Sequence, residues 1–132
     1  MYLTRDTDFI CLSSNSQNDE FDPQAMLKDL GFNGTIQLED NEDDLMSSLS
    51  KSDVFDFIII NQNDNEELHK TVSMIKALDS YKKTPILITT NITTNEVMYD
   101  CFGAGVSEYI VKPFTKETLA ARILKSWNSL KN

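Results

Sequence analysis

Glycine, proline and cysteine are scarce in this chain of 132 residues, numbering four, three and two. No Gly/Ser-rich or Pro-rich linker divides the chain, and no internal repeat or low-complexity tract interrupts it. A length ordinary for one core makes a single domain, residues 1–132, the expectation. Cys11 lies in an apolar run and Cys101 in a segment of helical period, with no partner motif, so both are expected to be buried free thiols in a reducing compartment. No window reaches the roughly 18 consecutive apolar residues of a membrane span. Behind Arg5, Asp6 and Asp8 there is no apolar run of signal-peptide length, so a cytoplasmic location is the default expectation. Positive charge is also short. Twelve Lys and Arg stand against 21 Asp and Glu, a formal net charge of -9 that repels a phosphate backbone and argues against direct nucleic-acid binding. The imbalance is one-sided: residues 1–66 carry 15 acidic and 3 basic side chains, residues 67–132 carry 6 and 9.

What is present is an alternation of short apolar runs with segments of helical period. Phe9 to Leu12 reads as a first strand. Asp22-Pro23 reads as an N-cap with proline at the first helical position, opening a helix through Met26, Leu27 and Leu30 that stops near Gly31. Asn33-Gly34 signals a turn before the strand Thr35 to Leu38. Asn41 then caps a helix that buries Leu45, Met46 and Leu49 and carries Glu42, Asp43 and Asp44 at its start, where the helix dipole favours anions. Phe55 to Ile60 shows no alternation, as expected of a strand covered on both faces in the middle of a parallel sheet. Leu68, Val72, Ile75 and Leu78 recur at helical spacing. Pro85 opens a strand from Ile86 to Thr90, and Thr93 or Thr94 caps a helix with Val97, Cys101 and Ala104. Gly103 and Gly105 lead out into the strand Glu108 to Val111, and a last helix is expected to bury Leu119, Ile123, Leu124, Trp127 and Leu130.

Five strands alternating with five helices describe an α/β, doubly wound sheet, whose ligand site is expected beyond the carboxyl ends of the strands. The residues there are Ser13, Ser14 and Asn15; Asn61; Thr90; and Lys112-Pro113.

In this order the chain resembles the CheY-like receiver domain of bacterial response regulators. Three segments carry the likeness: Phe55 to Asn61, Pro85 to Thr90, and most specifically Gly103-Ala104-Gly105-Val106-Ser107-Glu108-Tyr109-Ile110-Val111-Lys112-Pro113-Phe114. The resemblance implies a flavodoxin-like fold of five βα units, strand order 2-1-3-4-5, over residues about 9–128. It makes Asn61 the occupant of the phosphoacceptor position, and Ser13 and Ser14 the occupants of the acidic magnesium-binding pair. Thr90, Lys112 and Pro113 are then retained pocket residues, and Tyr109 is the switch aromatic. An amide is a very poor nucleophile, and two hydroxyls with a carboxamide bind Mg²⁺ poorly, so no metal, cofactor or enzymatic activity is expected. Plain loop hydrogen bonding is the expectation for Ser13 and Ser14, and static packing for Thr90 and Tyr109. Lys112, short of carboxylates, is expected to find neutral acceptors such as Asn61 or Ser13 oxygens, with Asp64 as the alternative partner.

The leading expectation is therefore a pseudo-receiver in a two-component or related regulatory pathway, acting by protein–protein contact. The resemblance points to the fourth helix, fifth strand and fifth helix, about residues 95–132, as the surface for a partner or a homodimer. An alternative is a phosphoryl-accepting receiver with a displaced nucleophile such as Asp64; another is a purely structural domain. His69, with no supporting motif, reads as a solvated helix residue. The acidic run at 39–44 lacks the glycine and distant glutamate of a calcium loop and reads as a solvated helix entry, and the run 61–67, with Asn at 61, 63 and 65 but no glycine, is rejected as a calcium loop.

Overall fold

The computed structural model describes residues 4–13, 21–51 and 55–129. The strands are β1 (Phe9–Ser13), β2 (Ile36–Glu39), β3 (Phe57–Asn61), β4 (Ile86–Thr90) and β5 (Glu108–Val111). They alternate with α1 (Pro23–Asp29), α2 (Glu42–Lys51), α3 (Leu68–Lys76), α4 (Asn95–Ala104) and α5 (Lys116–Ser129). All neighbouring strands are parallel and lie in the order β2-β1-β3-β4-β5, the doubly wound arrangement that the sequence pattern and the resemblance imply.

The apolar run of β3 is explained by its place. Successive side chains of a strand point to opposite faces. Ile10, Leu12, Ile58, Ile60, Ile86 and Ile88 accordingly join one core with Leu45, Leu49, Val72, Ile75, Val97 and Cys101 from α2, α3 and α4. Phe9, Cys11, Phe57, Ile59, Leu87 and Ile110 join another with Leu27 of α1 and Leu119, Ile123 and Trp127 of α5. Both faces are covered, so alternation has no selective basis, and each fully buried Ile or Phe contributes about 1.5–3 kcal/mol of transfer free energy.

Local chemistry sets the helix ends. Asp22 caps α1, its Oδ1 accepting the Ala25 N–H at 3.1 Å, and Asn41 Oδ1 accepts the Asp44 N–H at 2.8 Å. Gly105 closes α4 in the left-handed region at φ 113°, a conformation that costs glycine least. Three expectations change. The strand expected from Phe55 begins at Phe57, and the segment reaching Leu78 leaves the α-helix at Lys76 for a short 3₁₀ turn at Asp79–Tyr81. There Lys76 Nζ donates to the carbonyls of Lys82 and Thr84, a competing use of backbone acceptors that tightens the loop. Leu124 is 51% exposed rather than buried, because the α5 stripe at Leu119, Ile123 and Trp127 uses up the face that meets the sheet. Leu130 lies outside the described residues.

Both thiols are free and buried, as expected. Burial pushes Cys11 up to about 12 and Cys101 up to about 11, the nearby Asp22 and Asp100 carboxylates adding to it. A thiol raised above its unfolded value favours the fold while protonated. Stability should therefore hold to about pH 9 and decline as the pH rises through the raised values. Urea unfolding midpoints from pH 8 to 11 measure this, and neither thiol should react with an aromatic disulfide reagent before the protein unfolds.

Candidate functional site at the carboxyl ends of the strands

Ser13 and Asn61 are the last residues of β1 and β3, and strand register pairs Ser13 with Asn61 and Asn61 with Thr89. Directly paired residues share a face, so three polar side chains stand in a row beyond the apolar row of Cys11, Ile59 and Leu87. Asn61 is fully buried. Its Nδ2 donates to Ser13 Oγ at 3.0 Å, and its Oδ1 accepts from Thr89 Oγ1 at 2.9 Å. In these two bonds the amide meets hydroxyls at both ends, in keeping with the rule that buried polar groups are hydrogen-bonded. Ser14 and Asn15 lie outside the described residues.

Thr90 ends β4 one residue later, continuing the row of Ile86 and Ile88 toward the α4 side. Its Oγ1 accepts the Ile92 N–H at 3.4 Å, while the Tyr109 hydroxyl donates to the Ile92 carbonyl at 2.9 Å. Thr90 and Tyr109 therefore both hold Ile92 of the β4–α4 loop, one at its N–H and one at its carbonyl. Tyr109 is 6% exposed, and burial raises its hydroxyl to about 12, with Cys101 contributing. Thr89→Val should cost about 1–3 kcal/mol by leaving buried Asn61 Oδ1 without that donor, while Thr90→Val, losing one long bond, should cost less than about 1 kcal/mol. Denaturant titration of the two variants reads the difference directly.

Lys112 Nζ donates to Asn63 Oδ1 at 3.0 Å, a residue other than the Asn61, Ser13 or Asp64 expected as its partner. Asn63 stands on the loop just beyond β3, two residues past Asn61. The ammonium also lies 5.5 Å from the centre of the Phe21 ring. The peptide bond between Lys112 and Pro113 is cis. Asp64, the alternative acceptor, is exposed at φ 59°; its N–H donates to Asn91 Oδ1 and its Oδ1 accepts from Asn91 Nδ2, both at 3.0 Å.

Thr89, Asn63 and Phe21 were not singled out from the sequence. Register identifies Thr89, since a parallel neighbour of Asn61 must carry its partner, but register is fixed only by pairing in the sheet. His69 differs from expectation: it is half-buried, with Nδ1 shielded from water and without a partner among the described residues. In the acidic run, Glu42 accepts from the Thr71 hydroxyl, and among the described residues no group of three His, Cys, Asp or Glu side chains could hold a metal. Tyr99 and Phe102 on α4, Val111 on β5 and Leu124 on α5 are exposed apolar side chains. No described helix is long and apolar enough to cross a membrane.

No protein-family model matches the chain. Chemotaxis protein CheY-3 of Vibrio cholerae is 35% identical over 106 residues, covering 80% of each chain. Chemotaxis protein CheY of Pseudomonas aeruginosa is 30% identical over 101 residues, 76% of this chain and 80% of its own. Among solved structures, CheY4 of V. cholerae aligns at a TM-score of 0.75 and 24% identity, over 91% of this chain and 98% of that one. The receiver domain of the P. aeruginosa sensor histidine kinase PA1611, whose structure has a magnesium ion coordinated in the active-site cleft, aligns at 0.68 and 21%, over 96% and 99%. With CheY proteins at this identity and coverage, and a five-stranded parallel sheet in the order 2-1-3-4-5, the chain belongs to the CheY-like receiver domains of response regulators, signalling domains of two-component systems.

Proposed function

We propose that this receiver signals through protein contacts without aspartyl phosphorylation. The observation that carries the reading is the buried Asn61 amide, held at both ends by Ser13 and Thr89. Aspartyl phosphorylation needs a carboxylate nucleophile and a divalent cation that neutralises the phosphoryl oxygens. The row supplies two hydroxyls and a carboxamide, none anionic, and this donor set does not fit Mg²⁺, which gives up its hydration water reluctantly. Lys112, Pro113 and Thr90 are then remnants of a phosphoryl pocket, with Asn61, Ser13 and Ser14 its altered positions. The domain works in the cytoplasm in this reading, with neither nucleic acid nor membrane as partner.

The surface for the partner, a second protein or a second copy, is the face of α4, β5 and α5, where Tyr99, Phe102, Val111 and Leu124 are exposed together with the charges of Glu96, Asp100, Lys116 and Lys125. Tyr109 stays packed inside it, tied to Ile92.

The test is intact mass after incubation with acetyl phosphate and Mg²⁺, beside an ordinary receiver as positive control. No mass gain is expected while the control is labelled. A gain of one phosphoryl group would overturn the reading, and peptide mapping would show whether it sits on Asp64. Charge reversals at Glu96, Asp100, Lys116 and Lys125 should weaken partner binding; unchanged binding across the set would remove this face as the interface.

A further inference from the structure

The connection from β4 to α4 is tied to its neighbours at successive residues. Asp64, on the loop after β3, is the only described residue other than glycine with a positive φ, at 59°. A left-handed aspartate persists where its surroundings hold it there, and Asn91 supplies the hold. The Asp64 N–H donates to Asn91 Oδ1, and Asn91 Nδ2 donates to Asp64 Oδ1, both at 3.0 Å. The two bonds are reciprocal, so ordering one side chain serves both. Asn91 directly follows Thr90, the last residue of β4. The next residue, Ile92, is engaged at both of its backbone polar groups: its N–H donates to Thr90 Oγ1 at 3.4 Å, and its carbonyl accepts from the Tyr109 hydroxyl at 2.9 Å. Thr94 then stands before α4, its carbonyl accepting the Met98 N–H at 3.3 Å.

We infer that the Asp64–Asn91 clasp takes the place of a phosphoryl signal: it fixes the β4–α4 loop and keeps Tyr109 on Ile92, so that the face of α4, β5 and α5 meets its partner in one permanent state. The inference rests on the phosphorylation-independent reading and says what sets the face instead. The path is short. Asn91 fixes where the chain leaves β4, the Ile92 carbonyl beside it fixes the Tyr109 hydroxyl, and Tyr109 is the β5 residue packed within the face at 6% exposure. With the clasp broken, the loop exchanges between states, and a partner that needs one of them binds more weakly by the fraction of time that state is populated. Asp64 is thus a positioning residue, and its hydrogen bonds matter rather than its charge. Asparagine at 64 keeps the acceptor oxygen and tolerates the left-handed region, whereas alanine loses the acceptor and is strained there.

Tyrosine nitration by tetranitromethane, mapped by peptide mass, tests this with controls inside the same chain. Tyr99 is 66% exposed and should react in every variant, while Tyr81, fully buried in the 3₁₀ turn before β4, should be spared in every variant. Tyr109 should be slow in the parent and about tenfold faster in Asn91→Ala and in Asp64→Ala, which lose modest hydrogen bonds. In Asp64→Asn it should stay slow. The Ile92 and Met98 amide protons should exchange with water faster in the alanine variants by a similar factor, with those of β3 unchanged. An unchanged Tyr109 rate in both alanine variants overturns the clasp. So does release in Asp64→Asn equal to that in Asp64→Ala, or nitration of Tyr81 alongside Tyr109. The reading beneath it fails separately: a mass gain from acetyl phosphate on the unaltered protein overturns phosphorylation independence, whereas no gain with Tyr109 unreleased overturns the clasp alone.

Discussion

Asn61→Asp as a single change should destabilise the protein at pH 7 by about 3 kcal/mol, a penalty that acidification removes. The site is fully buried, and the amide nitrogen that donates to Ser13 would become an acceptor oxygen. The Ser13 hydroxyl can rotate to donate instead, so one hydrogen bond is recoverable. The charge is the larger problem, because the row holds only hydroxyls against it. Desolvation raises the folded carboxyl above its unfolded value, so the protonated variant is nearly as stable as the parent below the unfolded value. The deficit then grows as the pH rises from the unfolded value to the folded one and levels off above it. Urea unfolding of both proteins between pH 5 and pH 8 should show the gap widening with pH. A pH-independent gap, or equal stability at pH 7, would mean that a cation compensates the charge, which is what a working acceptor site needs. Added Mg²⁺ should not rescue the single variant, since Ser13 and Ser14 still contribute no charge.

Gly34→Ala should be comparably damaging at the opposite end of the sheet. A Cβ at Gly34 would lie 2.5 Å from the Asp6 carbonyl oxygen, 2.6 Å from that of Thr7 and 2.8 Å from the Asp6 carbonyl carbon. These are backbone atoms in a segment that is itself pinned: the Asn33 and Gly34 N–H groups donate to the Arg5 carbonyl, the Phe9 N–H donates to the Thr35 carbonyl, and Asp8 Oδ1 accepts the Thr35 N–H. None can yield without opening the start of the β1–β2 pairing, so the expected cost is about 3 kcal/mol, or about 10 °C in Tm for a domain of this size. Gly103→Ala is the contrasting case. It lies within α4 with nothing within 4 Å of its Cβ position. Alanine there should stabilise by about 0.5–1 kcal/mol through helix propensity alone. Thermal unfolding of the pair separates close approach from mere backbone freedom, and similar Tm values for the two would contradict the packing described around Gly34.

Much of the architecture is written locally. Pro23 behind Asp22, Asn41 before an apolar stripe, the unbroken run ending in Ile60 and the glycine at 105 each act within a few residues of themselves, through capping, periodicity and backbone freedom. That is why the doubly wound α/β order could be read from the chain alone, together with the strand-end positions of Ser13, Asn61, Thr90 and Lys112. The limits of that reading also have local causes. Leu124 looked like a core residue because hydrophobicity does not record which face of a helix is already filled. Leu78 continued a helical spacing that ended at Lys76, where Lys76 turned to the Lys82 and Thr84 carbonyls.

The sequence by itself determined the fold class and the uncharged side chains at the ends of β1 and β3, since periodicity and residue type act without reference to distant partners. Only the tertiary structure decided that Thr89 serves Asn61 while Thr90 and Tyr109 share Ile92, that Asn63 and Phe21 hold Lys112, and that Gly34 is required by the chain passing beneath it. Each of these depends on strand register or on loops meeting across the sheet. Such contacts join residues far apart in the chain, and their geometry exists only once the strands have paired and the helices have covered them.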